Sequence, residues 1–208
     1  MDGLVSNIAL IAGIGAAGAS GPTIVLTGCA GLVAGAFSMS LGEYTSVKTA
    51  NEQLAAELEI ERQAHRRNPE GERSELVLGF MQMGMSEKTA QYAASEVHEN
   101  HELAARIHVT QELGLDPSSN PSPWTAAVSS FAMFAVGAAF PLIPYALGFD
   151  SLAAGLAVGG VGLLIAGAVA AKFTRKSWWK NALRQLVFGA IAVGATYLVG
   201  SLLGVAAA

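Results

Sequence analysis

Three stretches of this chain are almost free of charge: residues 3–42 and 185–208 carry none, and 124–171 carry only Asp150. A helix needs about 20 apolar residues to cross a hydrocarbon core roughly 30 Å thick. Uncharged runs of this length exceed what the core of a soluble fold uses. Only 13% of the 208 residues are charged, against roughly a quarter in an ordinary soluble domain. The strand alternation and frequent polar turns of an outer-membrane barrel are missing from the pattern. Helices satisfy their own backbone in lipid, so the pattern predicts an all-α, polytopic membrane protein. Breaks at Gly18-Ala-Ser-Gly-Pro22 and near Gly148-Phe-Asp150 divide the runs into five transmembrane helices.

All 12 Lys and Arg fall in two blocks, Lys48–Arg106 and Lys172–Arg184. Basic loops stay on the cytoplasmic side, and an even number of spans separates the two blocks. The amino terminus and the first block are therefore expected in the cytoplasm, and the carboxyl terminus on the far side. Trp178 and Trp179 among the cations of the second block suit a headgroup-level anchor. The first 20 residues lack the basic n-region of a cleaved leader and carry Asp2 instead. A net charge of −4 gives no case for nucleic acid. The single Cys29 excludes an intrachain disulfide and is expected as a small buried hydrophobe. The expected organisation is 1–47 (helices 1 and 2), 48–116 (a cytoplasmic acidic insert), 117–123 (a Pro/Ser linker) and 124–208 (helices 3 to 5).

The insert holds 13 acidic residues against 7 basic, and all four histidines. Three helices are predicted in it. The first continues the second span as far as Asn68-Pro69. A second starts at Pro69 with Glu70 and Glu72 near its positive end. A third is capped by Ser86 and runs to Gly114. Residues able to bind a metal recur at same-face spacings: Glu72 and Glu75, Glu96/Glu99/Glu102, His98 and His101, and His108 with Glu112. Met81, Met83 and Met85 add sulfur. Carboxylate, imidazole and thioether together suit Fe²⁺, Mn²⁺ or Zn²⁺ better than Ca²⁺ or Mg²⁺. Spacing alone favours a solvated acidic face over a metal site, and no His has Glu three residues before it, which disfavours a ferritin-like di-iron site. Within the spans, Met39 and Glu43 lie one turn apart. A carboxylate at membrane depth points to function, while one near the Lys48 exit reads as interfacial; Asp2 poses the same choice.

Asp2-Gly-Leu-Val-Ser-Asn-Ile-Ala-Leu-Ile-Ala-Gly and Ser38-Met-Ser-Leu-Gly-Glu-Tyr44 resemble the vacuolar iron transporter family. So do Asn-Pro-Glu at 68–70, Glu-Leu-Gly at 112–114 and Phe-Pro-Leu-Ile-Pro at 140–144. The resemblance implies five spans, a cytoplasmic insert after the second, and a homodimer exporting Fe²⁺, and often Mn²⁺, from the cytosol in exchange for protons. It places a transport pathway on Asp2, Met39 and Glu43, and an insert metal site on Glu61, Glu72, Glu75 and Glu112. Ala64 and Val109 replace expected glutamates, and His108 replaces a methionine and can still ligate. Relatives carry a stretch ahead of the Asp-Gly pair, so the resemblance favours a truncated start.

The sequence thus predicts no enzyme and no tightly bound cofactor. Its expected partners are transported Fe²⁺ or Mn²⁺ (with Zn²⁺ also suited to the insert), protons, the bilayer and a second copy of the chain. The membrane would be the inner or plasma membrane of a bacterium or the vacuolar membrane of a eukaryote. The alternative is a non-transporting membrane scaffold whose acidic helices bind a protein partner. Polar residues within the spans count against it.

Overall fold

The computed structural model describes residues 1–114 and 116–207, without the side chains of residues 112, 113 and 205–207. Its elements are α1 (Asp2–Ala16), α2 (Gly21–Arg67), α3 (Pro69–Gln82), α4 (Glu87–His98), α5 (His101–Leu113), α6 (Pro123–Ala139), a 3₁₀ turn (Phe140–Leu142), α7 (Ile143–Ala146), α8 (Leu152–Thr174) and α9 (Trp178–Ala207). No strand occurs among the described residues. Two compact units result: Met1–Glu43 with Trp124–Ala208, and Tyr44–Pro123.

Four helical segments are long and apolar enough to cross a membrane: α2, Pro123–Ala146, α8 and the Trp178–Gly204 part of α9. The fifth expected span, α1, is apolar but has 15 residues. At 1.5 Å per residue it reaches about 22 Å, short of the ~30 Å of hydrocarbon. The 3–42 run divides unequally because Gly18, at φ 85°, turns the chain where an L side chain would be strained.

In the first unit α1 packs on α8 and α9, and α8 on α9. Small residues set these approaches: a Cβ on Gly200 would run into the Gly13 carbonyl, and one on Gly204 would come within 2.7 Å of the Ala17 Cα. Such contacts replace the hydrophobic effect as the source of helix association in lipid. Two polar side chains inside this unit donate to backbone on a neighbouring helix. Asn7 Nδ2 donates to the Ala138 carbonyl at 2.6 Å, and Thr196 Oγ1 to that of Ala9 at 2.7 Å. Pro141 and Pro144 interrupt the helix after Ala139, as their missing N–H groups require. Cys29, expected in the interior, is exposed, on the part of α2 that also exposes Leu26 and Val33. An apolar run destined for lipid need not bury its small residues in protein.

The second unit, Tyr44–Pro123, has its own core of Leu76, Phe80, Ala90, Ala94 and Ala104. Asn68 caps α3 through Gly71 N–H, and Ser86 caps α4 through Thr89 N–H. The expected three helices become four segments. The helix predicted over 86–114 breaks at Glu99-Asn100, where the Asn100 side chain accepts from Leu103 N–H and starts α5. No Gly or Pro marks that break; the capping bond alone supplies it. Arg62 of α2 forks onto Glu102 of α5 with two bonds of 2.7 Å, and Arg106 reaches the same carboxylate at 3.3 Å. Glu102 is thereby committed to holding helices together.

Candidate metal centre

The Tyr44–Pro123 unit gathers imidazole and carboxylate from four helices. His65, near the end of α2, is 1% exposed, and His108 of α5 is 3% exposed. Their ring centroids are 4.9 Å apart, edge to face. Two carboxylates flank His108: Glu61 Oε2 lies 3.9 Å from its Nδ1, and Glu72 Oε2 lies 3.9 Å from its Nε2. The same Nε2 is 3.2 Å from the Glu72 carbonyl oxygen. The Glu61 and Glu72 side chains are only 13% and 11% exposed. His65, Glu72 and His108 each offer a ligand atom within 4.8 Å of the other two, and all three are buried.

Local sequence explains the convergence. Glu61 and His65 stand one turn apart on α2, so both face one way. Glu72 is in the first turn of α3, which Asn68 and Pro69 fix directly after α2 ends. His108 neighbours the fully buried Val109, which sets that side of α5 inward. Burial holds the His65 imidazole neutral: loss of water lowers its pKa to about 4, and the nearby His108, His98 and His101 push the same way. A neutral ring keeps the lone pair that a metal requires.

The expected insert residues divide. Glu61, Glu72 and His108 come together. Glu75, one turn from Glu72, is exposed and lies outside the groups of three metal-capable residues found among the described residues. The Glu112 side chain lies outside the described residues. Met81, Met83 and Met85 are 40%, 60% and 39% exposed and line no such group. His65 was missing from the expected ligands. Its one sequence signal is Glu61-x-x-x-His65, a same-face pair beside a segment rich in histidine.

The expected pathway residues lie in the other unit. Asp2 is exposed in the first turn of α1 and accepts from Ser6 Oγ at 3.2 Å. Met39 and Glu43 are exposed on α2, one turn apart. Neither Asp2 nor Glu43 falls in a metal-capable group among the described residues.

Apolar helices long enough to cross a membrane, joined in sequence to an acidic unit with a buried carboxylate–imidazole cluster, define an integral membrane protein. Sequence comparison agrees with that class. Residues 1–201 match the VIT family, and the chain belongs to it. It is 36% identical to a vacuolar iron transporter of Acanthamoeba castellanii over 190 residues, covering 86% of this chain and 69% of that protein. It is 29% identical to vacuolar iron transporter 1 of Arabidopsis thaliana, covering 94% of this chain and 80% of the relative. It is 30% identical to vacuolar iron transporter homolog 1 of rice, covering 98% and 70%.

Proposed function

We propose that this chain is a divalent transition-metal transporter that moves Fe²⁺, and Mn²⁺ in the same way, out of the cytosol in exchange for protons. The observation that carries the reading is the buried Glu61/Glu72/His108 cluster in a chain whose relatives are named as iron transporters. In this reading the acidic unit is cytoplasmic and collects the ion there, with Glu75 and Glu112 proposed as further ligands from the family resemblance. Zn²⁺ also suits that donor set.

Glu43, Met39 and Asp2 then pass the ion across the membrane. Met39 and Glu43 share an exposed face of α2, one turn apart. A carboxylate facing lipid is costly. A second copy of the chain against that surface removes the cost, which favours a homodimer with the pathway between protomers. Carboxylate and imidazole bind either a proton or a metal, so a proton arriving from an acidic far side releases the cation.

Reconstitution into vesicles with an acidic lumen tests this. Fe²⁺ or Mn²⁺ should enter only under the imposed gradient, and Met39→Ala should slow entry by at least about tenfold, the tightening lost with a directly placed group. Gradient-independent uptake, or full activity in Met39→Ala, contradicts the reading.

A further inference from the structure

Beyond the carboxylate cluster, the Tyr44–Pro123 unit holds a second set of donors that the transport reading does not use. His98 is the last residue of α4 and His101 the first of α5. Their ring centroids are 5.4 Å apart, and they stand 5.5 Å and 6.5 Å from the ring of His65. One ligand nitrogen from each lies within 4.8 Å of the other two. His65 and His98 both hold buried nitrogens without a hydrogen-bond partner among the described residues, Nδ1 and Nε2 of His65 and Nδ1 of His98. A buried polar atom left unpaired is costly and calls for an explanation. At His65 both ring nitrogens go unmet at 1% exposure. His101 is exposed and His98 half-buried, which opens the group to solvent on one side.

We propose that His65, His98 and His101 form a second metal site, made of three imidazoles with an open fourth position, which takes Zn²⁺, Co²⁺ or Ni²⁺ in preference to Fe²⁺ or Mn²⁺. The donor set decides the metal. Imidazole favours ions late in the first-row order, whereas carboxylate oxygen suits the earlier ones. Three nitrogens around a tetrahedral ion at about 2.1 Å stand about 3.4 Å apart, so closing this group needs side-chain movements on the order of an ångström. Two of the ligands flank the Glu99-Asn100 break. An ion held there pins the α4–α5 corner to the end of α2, which gives that break a purpose beyond the Asn100 cap. The site stands whether or not the chain transports iron, because its ligands and its test are those of binding alone. It shares His65 with the Glu72/His108 group, so the two sites are neighbours that differ in their other donors.

The test is Co²⁺ titration of the full-length chain in detergent, followed by the visible absorption of tetrahedral Co²⁺ and its displacement by Zn²⁺. The unaltered chain should develop the tetrahedral band. His98→Ala/His101→Ala should lose it and weaken Zn²⁺ binding at least about tenfold, whereas Glu72→Gln should keep it. A band that survives in the double variant overturns the proposal. A band abolished by Glu72→Gln also overturns it, by assigning the metal to the carboxylate cluster. X-ray absorption of the unaltered chain with one equivalent of Zn²⁺ needs no variant to fold. Three imidazoles per zinc are expected, and two or fewer overturn the site.

Discussion

The two units bury polar side chains for opposite purposes. Between the apolar helices, Asn7 and Thr196 each donate to a backbone carbonyl on a neighbouring helix. They act as interhelical ties, and small residues such as Gly13 and Gly200 permit the close approach. In the acidic unit the buried histidines face one another and two carboxylates, and both ring nitrogens of His65 lack a hydrogen-bond partner among the described residues. Asn7 Oδ1 is also unpaired among the described residues, but it stands alone on a side chain already tied to backbone. The unpaired nitrogens of His65 and His98 instead gather with further imidazoles and carboxylates, and such a cluster points to a ligand.

The comparison breaks most readily at its closest contact. Gly200→Leu should prevent accumulation of folded chain, since even a Cβ there meets the Gly13 carbonyl; size-exclusion chromatography in detergent would register aggregation. In the acidic unit Leu76→Ala should cost about 2–5 kcal/mol, because Leu76 is fully buried in that core. Its thermal transition should fall while the apolar helices keep theirs. Asn7→Leu leaves the Ala138 carbonyl without its donor and should cost about 1–3 kcal/mol, read as a lower melting temperature with metal binding unchanged.

Acid sharpens the contrast. His65 titrates near 6.5 when unfolded and at about 4 when folded. Between those values the unfolded chain takes up a proton that the folded chain refuses. The metal-free acidic unit therefore loses stability as pH falls through that window, with no further loss from this group below it. Glu102, held low by Arg62, adds a loss in the same direction as pH falls below the ordinary carboxylate value. His65→Leu should flatten the melting temperature between about pH 6.5 and pH 4; an unchanged slope would remove His65 as the cause. The smallest effect is expected from Glu75→Gln. An exposed carboxylate outside the cluster should leave metal affinity within about threefold, against at least about tenfold for Glu72→Gln.

Much of this was legible in the sequence because it depends on local chemistry. Charge-free runs mark the membrane-crossing helices, Gly18 and Gly148 mark turns that need positive φ, and Asn68-Pro69 and Ser86 mark helix starts. The α4–α5 break was harder to see, since a single Asn cap interrupts a segment of good helix formers. Spacing placed Glu72 and Glu75 on one face, but the edge of burial runs between them, and only packing determines where it falls. His65 was invisible as a ligand for a related reason. Its partners His98, His101 and His108 lie more than thirty residues away, and no helical periodicity reports a contact between helices.

In the proposed function, metal enters transport through the buried carboxylate–imidazole cluster. The most direct test of that entry is the concentration dependence of initial Fe²⁺ uptake by full-length chain in acid-lumen vesicles, for the unaltered protein and Glu72→Gln/His108→Ala. Uptake should be saturable and gradient-driven, with a half-saturating Fe²⁺ concentration at least about tenfold higher in the variant. Identical curves for the two proteins would contradict entry through the cluster.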